Sequence, residues 1–441
     1  MISSILFTLL LAIGVTLFTN KIREVVRNIQ LGRELDLSDR SSERWATMAR
    51  VALGQSKMGS RPVAAFFHVL IYVGFVIINI EVIEIIIDGV FGTHRILSFM
   101  GGVYTTLIAS FEFLAIGVLS SCFVFLSRRN IIKLRRFHMR EMTKWPKSDA
   151  NIILITEILL MSAFLIMNAC DYKLQLLGAE HYSHATGIVG AFPVSNILLP
   201  MLSGMSIDSL VVLERSCWWF HIIGILAFLN YVPYSKHFHI LLAFPNTYYS
   251  KLTPKGEFTN MQSVTNEVKL MMDPMAVVPA VDPNAAPQRF GAKDVQDLTW
   301  KQLMDSYSCT ECGRCTSACP ANLTGKLLSP RKIMMDTRDR LEEVGKNMNE
   351  HGGTHDDGKS LLGNYITEEE LWACTTCNAC TEACPVNIDP LSIIIEMRRY
   401  LVMEQSSAPT ELNGMFTKVE NNGAPWQFSP TDRMNWANDV N

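Results

Sequence analysis

The sequence predicts a mainly α-helical protein, built as a five-helix transmembrane bundle followed by a helical domain on the cytoplasmic side of the membrane. Two observations predict this division. Nearly all long apolar runs in the 441 residues lie before residue 245, and they account for much of the 49% hydrophobic content. Two cysteine-rich motifs lie after residue 300, in a stretch that is polar enough to form a soluble domain.

Five segments are long enough to cross a bilayer, which requires about 17 to 25 predominantly apolar residues. They lie at approximately 2–19, 62–87, 103–126, 151–170 and 209–232. The first segment has no basic residues before it and no Ala-x-Ala-like cleavage site after it, and its positive charges follow it. We therefore expect a retained helix rather than a signal peptide.

The charges of the loops predict the orientation in the inner membrane. Residues 20–61 contain nine Lys or Arg and residues 127–150 contain eight, whereas residues 88–102 and 171–208 contain one each. Because basic loops stay in the cytoplasm, the N-terminus is expected outside and the cysteine-rich domain inside. The formal net charge of −3, without a basic and aromatic surface pattern, argues against a nucleic-acid partner.

Both cysteine motifs have the form Cys-x2-Cys-x2-Cys-x3-Cys-Pro, which is the ligand spacing of [4Fe-4S] clusters. In such pairs the fourth cysteine of each motif binds the cluster of the other motif. We therefore assign cluster 1 to Cys309, Cys312, Cys315 and Cys384, and cluster 2 to Cys374, Cys377, Cys380 and Cys319. Structural zinc sites are the alternative, but they have no use for a third evenly spaced thiolate.

Helix signals around the motifs favour an α-helical dicluster ferredoxin domain over a βαβ ferredoxin. Ser329-Pro330 and Thr367 are typical helix N-termini, and residues 391–403 have apolar helical periodicity. The predicted organisation is a transmembrane haem domain at 1–244, a proline-rich linker at 245–295, the dicluster domain at 296–405, and a C-terminal tail at 406–441 that contacts a partner.

Histidines in and beside the spans are candidate axial ligands of b-type haem, since an imidazole inside a membrane is costly without a partner. His68 and His239 both lie near the cytoplasmic surface, on antiparallel segments, and are the predicted bis-histidine pair. His237 is a weaker alternative to His239. His221 would lie on the same helix face as His239, roughly 27 Å away, if the helix continues past Pro233. Core hydrogen-bond donors are the structural alternative.

His221 is the candidate ligand of a second haem nearer the outer surface. Its partner is the open question, because the facing residues 78–86 contain no imidazole. His94 is the preferred partner, and His181 or His184 in the longer outer loop are alternatives.

Carboxylates inside or beside spans mark proton paths or quinone sites in some membrane proteins and form structural ion pairs in others. They are Glu81, Glu84, Asp88, Glu112, Glu157 and Glu214. The two interpretations are equally weighted for Glu112 and Glu157. For the others the structural interpretation is favoured, either pairing with Arg95 or Arg215 or residence in the outer interface.

The membrane segments resemble the dihaem gamma subunit of respiratory nitrate reductase and its relatives. The matching residues are Arg61-Pro62 through His68, Tyr72 to Phe75, Trp218 to His221 and Ser235 to His239. The resemblance implies that His68, His221 and His239 are haem ligands. The chain departs from that family at Ile78, where a second histidine is expected.

The C-terminal half resembles membrane-bound, heterodisulfide-reductase-like iron-sulfur oxidoreductases. The matching segments include Phe290-Gly291, Asp305 through Cys315, Leu371 through Cys374, and Arg398 through Leu401. Residues Asn421 to Trp426 are similar to the family's connector into cysteine-rich CCG domains, which hold the substrate-reducing cluster. The sequence has no Cys-Cys dipeptide and no cysteine after Cys384. The resemblance therefore implies a separate cytoplasmic partner that carries the CCG domains.

These observations predict an oxidoreductase subunit that passes electrons between the quinone pool, one or two b haems, the two [4Fe-4S] clusters and a soluble partner. A haem-free, membrane-anchored electron-input module and a non-enzymatic iron-sulfur redox sensor are the alternatives. The chain has no glycine-rich dinucleotide loop, so NAD or flavin binding is not expected.

Overall fold

The computed structural model describes residues 2–183, 187–273, 275, 289–353, 355–438 and 440. These residues form helices and loops, without a β-strand in the described parts of the chain. Two isolated β-bridges join Arg33 to Thr299 and Leu362 to Ile366. The predicted mainly α-helical fold is confirmed.

Five helices are long and apolar enough to cross a membrane. The helices of this half are α1 (Ile2–Ile29), α2 (Ser41–Met48), α3 (Pro62–Phe91), α4 (Gly102–Asn130), α5 (Trp145–Leu176) and α6 (Ile207–Tyr231), of which all but α2 are the spanning helices. Each spanning helix overlaps a predicted segment, but α1, α3, α4 and α5 extend beyond it by several residues. Their polar ends stay helical because helix formation, unlike bilayer crossing, tolerates charged residues.

The spanning helices pack as a closed ring, in which each contacts the next and α1 packs against both α3 and α6. Large apolar side chains point outward from the ring. On α1, Ile5, Leu9, Ile13 and Leu17 follow each other at four-residue spacing and are all exposed. Residues four apart lie on one helix face, so this face suits a lipid environment. The chain is therefore a membrane protein.

The sixth helix ends before the histidine-rich segment. After Tyr231 come two short 3-10 turns, Val232–Tyr234 and Lys236–Phe238, and then α7 (His239–Tyr248). The continuous helix on which His221 and His239 would share a face is thus interrupted, so the condition for their expected spacing of roughly 27 Å is not met. Pro233 explains the break, since proline provides no backbone N–H and crowds the preceding turn.

The predicted linker is partly helical. Helix α7 runs across its expected start at residue 245, and α8 (Gln262–Met272) lies within it. Residues 276–288 of the linker lie outside the described residues.

The C-terminal half consists of short helices around two cysteine loops. They are α9 (Trp300–Tyr307), α10 (Arg314–Ala318), α11 (Pro320–Leu323), α12 (Pro330–His351), α13 (Glu368–Trp372), α14 (Ala379–Ala383), α15 (Pro390–Met403), α16 (Thr410–Asn422) and α17 (Asn435–Asn438). Helix α12 begins with the Ser329 side chain accepting from the Lys332 N–H, and α13 begins with a capping box between Thr367 and Glu370. Both predicted helix starts are confirmed.

One end of the bundle, around Val25 and Val232, shares one hydrophobic core with the C-terminal half. We call it the inner end, and the opposite end the outer end, after the orientation that the loop charges predict. Val25, Val232 and Phe238 from the membrane half belong to the same buried cluster as Leu303 and Ile333. Close packing extends this contact: a Cβ added at Gly345 of α12 would lie 2.5 Å from the Asn28 side chain of α1. The two halves are therefore held against each other along the inner face.

Candidate cofactor sites

The two cysteine loops have matching backbones. In the first motif Glu311 and Gly313 adopt left-handed conformations, with φ of 51° and 69°, and in the second Thr376 and Asn378 do so, with φ of 56° and 60°. These residues occupy the same positions relative to the first cysteine of each motif. The repeated turns curl each loop so that its first three cysteines face one side.

The cysteines assigned to cluster 1 line one small cavity. Cys309, Cys312 and Cys315 come from the first motif, and Cys384 comes from the second. The structure thus brings together the crossed set that the spacing predicts. In the described residues no three His, Cys, Asp or Glu side chains approach closely enough to hold a single metal ion. The four thiols surround a space instead of meeting at one point.

The cysteines assigned to cluster 2 are also neighbours. Burial raises the pKa of Cys374, and the nearby thiols of Cys319 and Cys377 raise it further. Burial likewise raises the pKa of Cys380 to about 12, with Cys374 among the contributing charges. Cys377 is exposed, whereas Cys319 and Cys380 are buried. This site therefore lies nearer the protein surface than the first.

The two cysteine sets adjoin each other, since α10 packs against α14. Burial raises the pKa of Cys315, and the thiols that add to the rise include Cys380 of the other set as well as Cys312. Backbone donors also reach the sulfurs: the Ile388 N–H donates to Cys384 Sγ at 3.3 Å. Such hydrogen bonds stabilise thiolates and raise cluster potentials.

His68 and His239 face each other at the inner end of the bundle. Their ring centroids are 6.5 Å apart and their planes are inclined by 35°. A metal held about 2.0 to 2.1 Å from each ring nitrogen would place the two ring centres roughly 6 Å apart. The spacing therefore fits one metal between the two imidazoles, as in a bis-histidine haem.

The hydrogen bonds of this pair leave ligating nitrogens available. His239 Nδ1 lies 2.9 Å from the Lys236 carbonyl oxygen, which fixes the proton on Nδ1 and directs Nε2 elsewhere. The buried Nδ1 of His68 has no hydrogen-bond partner among the described residues. Burial also lowers the pKa of His239, so the ring is neutral as a metal ligand requires.

His237 lies beside the pair, not opposite it. Its ring is 5.7 Å from the His239 ring, nearly perpendicular to it, and 5.4 Å from the Phe228 ring. Burial lowers its pKa to about 3. This placement agrees with the preference for His239 over His237 as the partner of His68.

His221 is 2% exposed and lies in the middle of the bundle. Its Nδ1 is 3.0 Å from the Leu160 carbonyl oxygen, and its ring packs 6.0 Å from the Phe164 ring. The Nδ1 contact again leaves Nε2 as the potential ligand atom.

His94 lies at a different depth from His221. His94 Nε2 is 3.4 Å from Asp171 on α5, and its ring is 5.7 Å from the His181 ring. Asp171 and Leu160 are 11 residues apart on the same helix, roughly 16 Å along its axis. The structure therefore does not place His94 opposite His221. His184, the other outer-loop alternative, lies outside the described residues.

Comparison with known proteins identifies the C-terminal half. A family model for the 4Fe-4S dicluster domain matches residues 308–388, which contain all eight motif cysteines. Residues 308–388 are a 4Fe-4S dicluster domain. No solved structure matches the chain.

Two relatives that match most of this chain are named as oxidoreductases. The Bacillus subtilis protein named "Probable iron-sulfur-binding oxidoreductase FadF" is 29% identical over 99% of this chain and 61% of its own length. The "EtfAB:quinone oxidoreductase" of Syntrophomonas wolfei is 27% identical over 91% of this chain and 55% of its own length. The chain thus spans little more than half the length of these two relatives.

Other relatives match a smaller share of the chain. The "Probable membrane-anchored ferredoxin" of Chromohalobacter salexigens is 33% identical over 36% of this chain and 26% of its own length. Subunits C and D of heterodisulfide reductases from Methanosarcina acetivorans match 27% and 32% of this chain. The predicted resemblance to heterodisulfide-reductase-like iron-sulfur oxidoreductases is confirmed, and these relatives place the chain among electron-transfer proteins.

A buried ion pair connects the dicluster domain to the histidine segment. The Lys236 ammonium donates to the Glu311 carboxylate, and these side chains are 9% and 2% exposed. Arg338 Nη1 donates to the other oxygen of Glu311 at 2.9 Å. Although burial alone would raise the pKa of Glu311, the charges of Arg338 and Lys236 hold it below its usual value. The sequence analysis did not predict a role for Lys236 or Glu311. The position of an acidic residue between two cluster cysteines, Cys309 and Cys312, could have pointed to a charged contact at this loop.

The loop before α3 makes a second connection. Arg314, next to Cys315, donates to the Lys57 carbonyl oxygen at 3.1 Å, and Arg61 donates to the Ser317 hydroxyl at 2.7 Å. Since α3 carries His68 less than two turns after Arg61, both members of the histidine pair are fixed to the first cysteine motif. These contacts reach the first motif, which supplies three of the four cysteines of the cluster 1 set.

A cavity of about 350 Å³ lies at the end of the bundle away from the dicluster domain. Its lining includes Glu81, Glu84, His94, Arg95, Asp171 and Trp218. Arg95 donates to Asp171 and, at 3.0 Å, to the Tyr104 hydroxyl, and this hydroxyl donates to Glu84 at 2.9 Å. Glu81 is 3% exposed, and its Oε2 has no hydrogen-bond partner among the described residues.

The contacts of Glu112 and Glu214 support a structural role for these two intramembrane carboxylates. Glu112 accepts from the backbone N–H groups of Val194 and Ser195, at 2.8 and 3.1 Å, and from Asn168 at 3.3 Å. Glu214 pairs with its neighbour Arg215, as expected. Glu81, which lines the cavity at this end of the bundle, differs from these because its Oε2 has no hydrogen-bond partner among the described residues.

Proposed function

We propose that this protein is the membrane electron-transfer subunit of a quinone-linked oxidoreductase. Electrons would pass between the quinone pool, a b-type haem, the two [4Fe-4S] clusters and a soluble cytoplasmic protein with CCG domains. The observation that carries this proposal is the contact between the His68–His239 pair and the cluster 1 loop through Lys236 and Glu311. Ligands of two kinds of redox centre are thereby held side by side.

His68 and His239 would hold the haem, the Cys309 set cluster 1 and the Cys374 set cluster 2. When bound, these groups supply one-electron chemistry, and the protein supplies their order and spacing. The order supported by the contacts is histidine pair, cluster 1, cluster 2. The exposed Cys377 makes cluster 2 the exit towards the soluble partner. Relatives that are named as heterodisulfide reductase subunits support a partner that carries the substrate site.

The quinone site is proposed at the outer cavity. Its volume of about 350 Å³ suits a small ring, since ligand pockets run from about 300 to 1,000 Å³. Oxidation of a quinol releases two electrons and two protons, and the unpaired Glu81 oxygen offers one proton acceptor. The name of the Syntrophomonas wolfei relative supports a quinone as the membrane-side reactant. The basic inner loops support an inner-membrane orientation with the N-terminus outside and the dicluster domain in the cytoplasm.

Two measurements test this proposal. A pyridine haemochrome assay on the purified protein should show haem b, and its absence would favour the haem-free module. Quinol added to proteoliposomes should reduce haem and clusters, whereas no response to any quinol would favour a redox sensor.

Glu81→Gln tests the placement of the quinone. We expect quinol-driven reduction to slow about 10²-fold, the usual effect of losing a general base, while dithionite still reduces all centres. Asp208→Asn, an exposed acid on the same side, is the matched control and should leave the rate unchanged. Equal rates in both variants would place the quinone elsewhere.

A further inference from the structure

Two arginines at the inner end of the bundle have buried donors without acceptors. Nε and Nη2 of Arg129 and Nε of Arg136 have no hydrogen-bond partner among the described residues. Their guanidinium carbons lie 4.6 and 4.8 Å from the centroid of the same ring, that of Phe137. The two side chains are half-buried as a whole, but a buried donor without an acceptor is costly, so these three atoms favour an acceptor, and beside a guanidinium charge an anionic one.

The acidic side chains of the surrounding elements already accept hydrogen bonds from other groups. Glu141 accepts from Arg331 at 2.7 Å, and Glu311 accepts from Lys236 and Arg338. Asp149 accepts from the hydroxyl groups of Tyr231 and Ser235 and from the Lys236 backbone N–H. Glu311 and Asp149 are close enough for their charges to act on Arg129, but their hydrogen bonds go to other groups. The buried donors of Arg129 and Arg136 are therefore left without an acceptor among the described residues.

The arginine pair lies one helical turn from the level of His68. The Phe67 ring, adjacent to His68 in the chain, packs 6.4 Å from the Phe125 ring on α4. Arg129 follows Phe125 by four residues, about 6 Å further towards the inner face.

Arg136 borders the cluster 1 loop from the other side. A Cβ added at Gly313 would lie 3.3 Å from Arg136 Cβ, and the Arg136 carbonyl oxygen accepts from Arg331 at 2.6 Å. The unpaired donors thus lie between the histidine pair and the first cysteine motif.

We infer that Arg129 and Arg136 form a carboxylate-binding site that takes the propionate groups of the haem held by His68 and His239. This inference rests on the proposed haem. Guanidinium groups bind carboxylates through paired N–H donors, and the donor atoms are enclosed between protein elements, not turned to the bilayer. An anionic lipid phosphate would satisfy the same donors, so the test separates these sources. With the propionates here, the charged edge of the haem faces cluster 1.

The test uses the full-length holoprotein with Arg129→Gln and Arg136→Gln. Each variant should transfer its haem to apomyoglobin about tenfold faster, the effect of losing one charge-assisted hydrogen bond. Each should also lower the haem midpoint potential, because the lost positive charge no longer disfavours the oxidised, more positively charged haem. Arg135→Gln, an exposed arginine in the same loop, should match the wild type in both measurements. Unchanged cluster EPR spectra verify the fold of every variant.

Reconstitution with haem dimethyl ester adds a second arm. With the ester, Arg129→Gln and wild type should release the pigment at equal rates, because no carboxylate remains to bind. Fully loaded variants with wild-type release rates and potentials would overturn the inference while leaving the haem proposal intact. Loss of co-purifying anionic phospholipid without a change in the haem would also overturn it, in favour of a lipid site. A wild-type protein without haem would overturn both proposals.

Discussion

The Lys236 ammonium is bonded to the Glu311 carboxylate, which joins the segment that carries His239 to the loop between Cys309 and Cys312. His239 Nδ1 contacts the carbonyl oxygen of the same lysine at 2.9 Å. One residue therefore positions a proposed haem ligand through its backbone and a cysteine loop through its side chain. The membrane site and the dicluster domain cannot be displaced from each other without breaking this pair.

Glu311→Gln should destabilise the protein strongly. The substitution leaves the buried Lys236 ammonium with only the Pro146 carbonyl oxygen at 2.6 Å and Asp149 at 3.8 Å, and it leaves Arg338 with only the exposed Asp339. Removing one partner of a buried ion pair costs about 3–5 kcal/mol. Thermal unfolding followed by loss of haem and cluster absorbance measures the effect. Asp339→Asn, which removes an exposed partner of the same Arg338, should shift the midpoint little. The double variant Lys236→Met/Glu311→Gln should recover part of the loss, and an additive effect would contradict the coupling.

The crossed cysteine sets predict which cluster each substitution damages. Cys384→Ser lies in the second motif but should remove or alter the EPR signal of cluster 1, because Cys384 lines the cavity of Cys309, Cys312 and Cys315. Cys319→Ser should do the same to cluster 2. Cys170→Ser, a buried cysteine of the membrane bundle, is the control and should leave both signals intact. Damage confined to the cluster of the mutated motif would exclude the crossed assignment.

His68→Ala and His239→Ala should abolish the same haem signal, because the two rings flank one site. His94→Ala should leave that signal intact, since His94 contacts Asp171 at the opposite end of the bundle. Optical spectra of the reduced variants, normalised to cluster content, provide the measurement. Loss of different bands in the two inner variants would mean that they do not share a haem.

The exposure of Cys377 predicts the order of reaction with soluble oxidants. Small anionic oxidants should oxidise cluster 2 first, and cluster 1 should follow through it. In Cys319→Ser, with cluster 2 damaged, oxidation of cluster 1 should slow by about tenfold or more, whereas quinol reduction of the haem should persist. Rapid-freeze EPR measures both clusters, and direct oxidation of cluster 1 at an unchanged rate would contradict this order.

The features that depend on a short stretch of the chain could be predicted from the sequence. Apolar length located five spans, and cysteine spacing located the dicluster domain, which the family comparison confirms. The pairing of His68 with His239 followed from their predicted depth and from the antiparallel direction of their two segments. The structure places these rings together.

Features that depend on how distant segments meet could not be predicted in this way. The Lys236–Glu311 pair joins residues 75 positions apart, and neither residue type signals its partner. The depth of His94 depends on how the outer loop folds onto Asp171, which no periodicity encodes. The structural interpretation of Glu81 is pairing with Arg95 or Arg215 or residence in the outer interface, and the sequence does not show that Arg95 donates to Asp171, Tyr104 and Asn168.

The core that Val25, Val232 and Phe238 share with the C-terminal helices determines how electrons can leave the dicluster domain. Some redox proteins swing a tethered domain between donor and acceptor, and their turnover depends on that travel. In the described residues the dicluster domain shares its core with the bundle and is therefore held in place. The proposed soluble carrier would have to come to a stationary docking point near Cys377. Turnover should then depend on the carrier concentration and on ionic strength. It should not be limited by a viscosity-dependent movement of the dicluster domain.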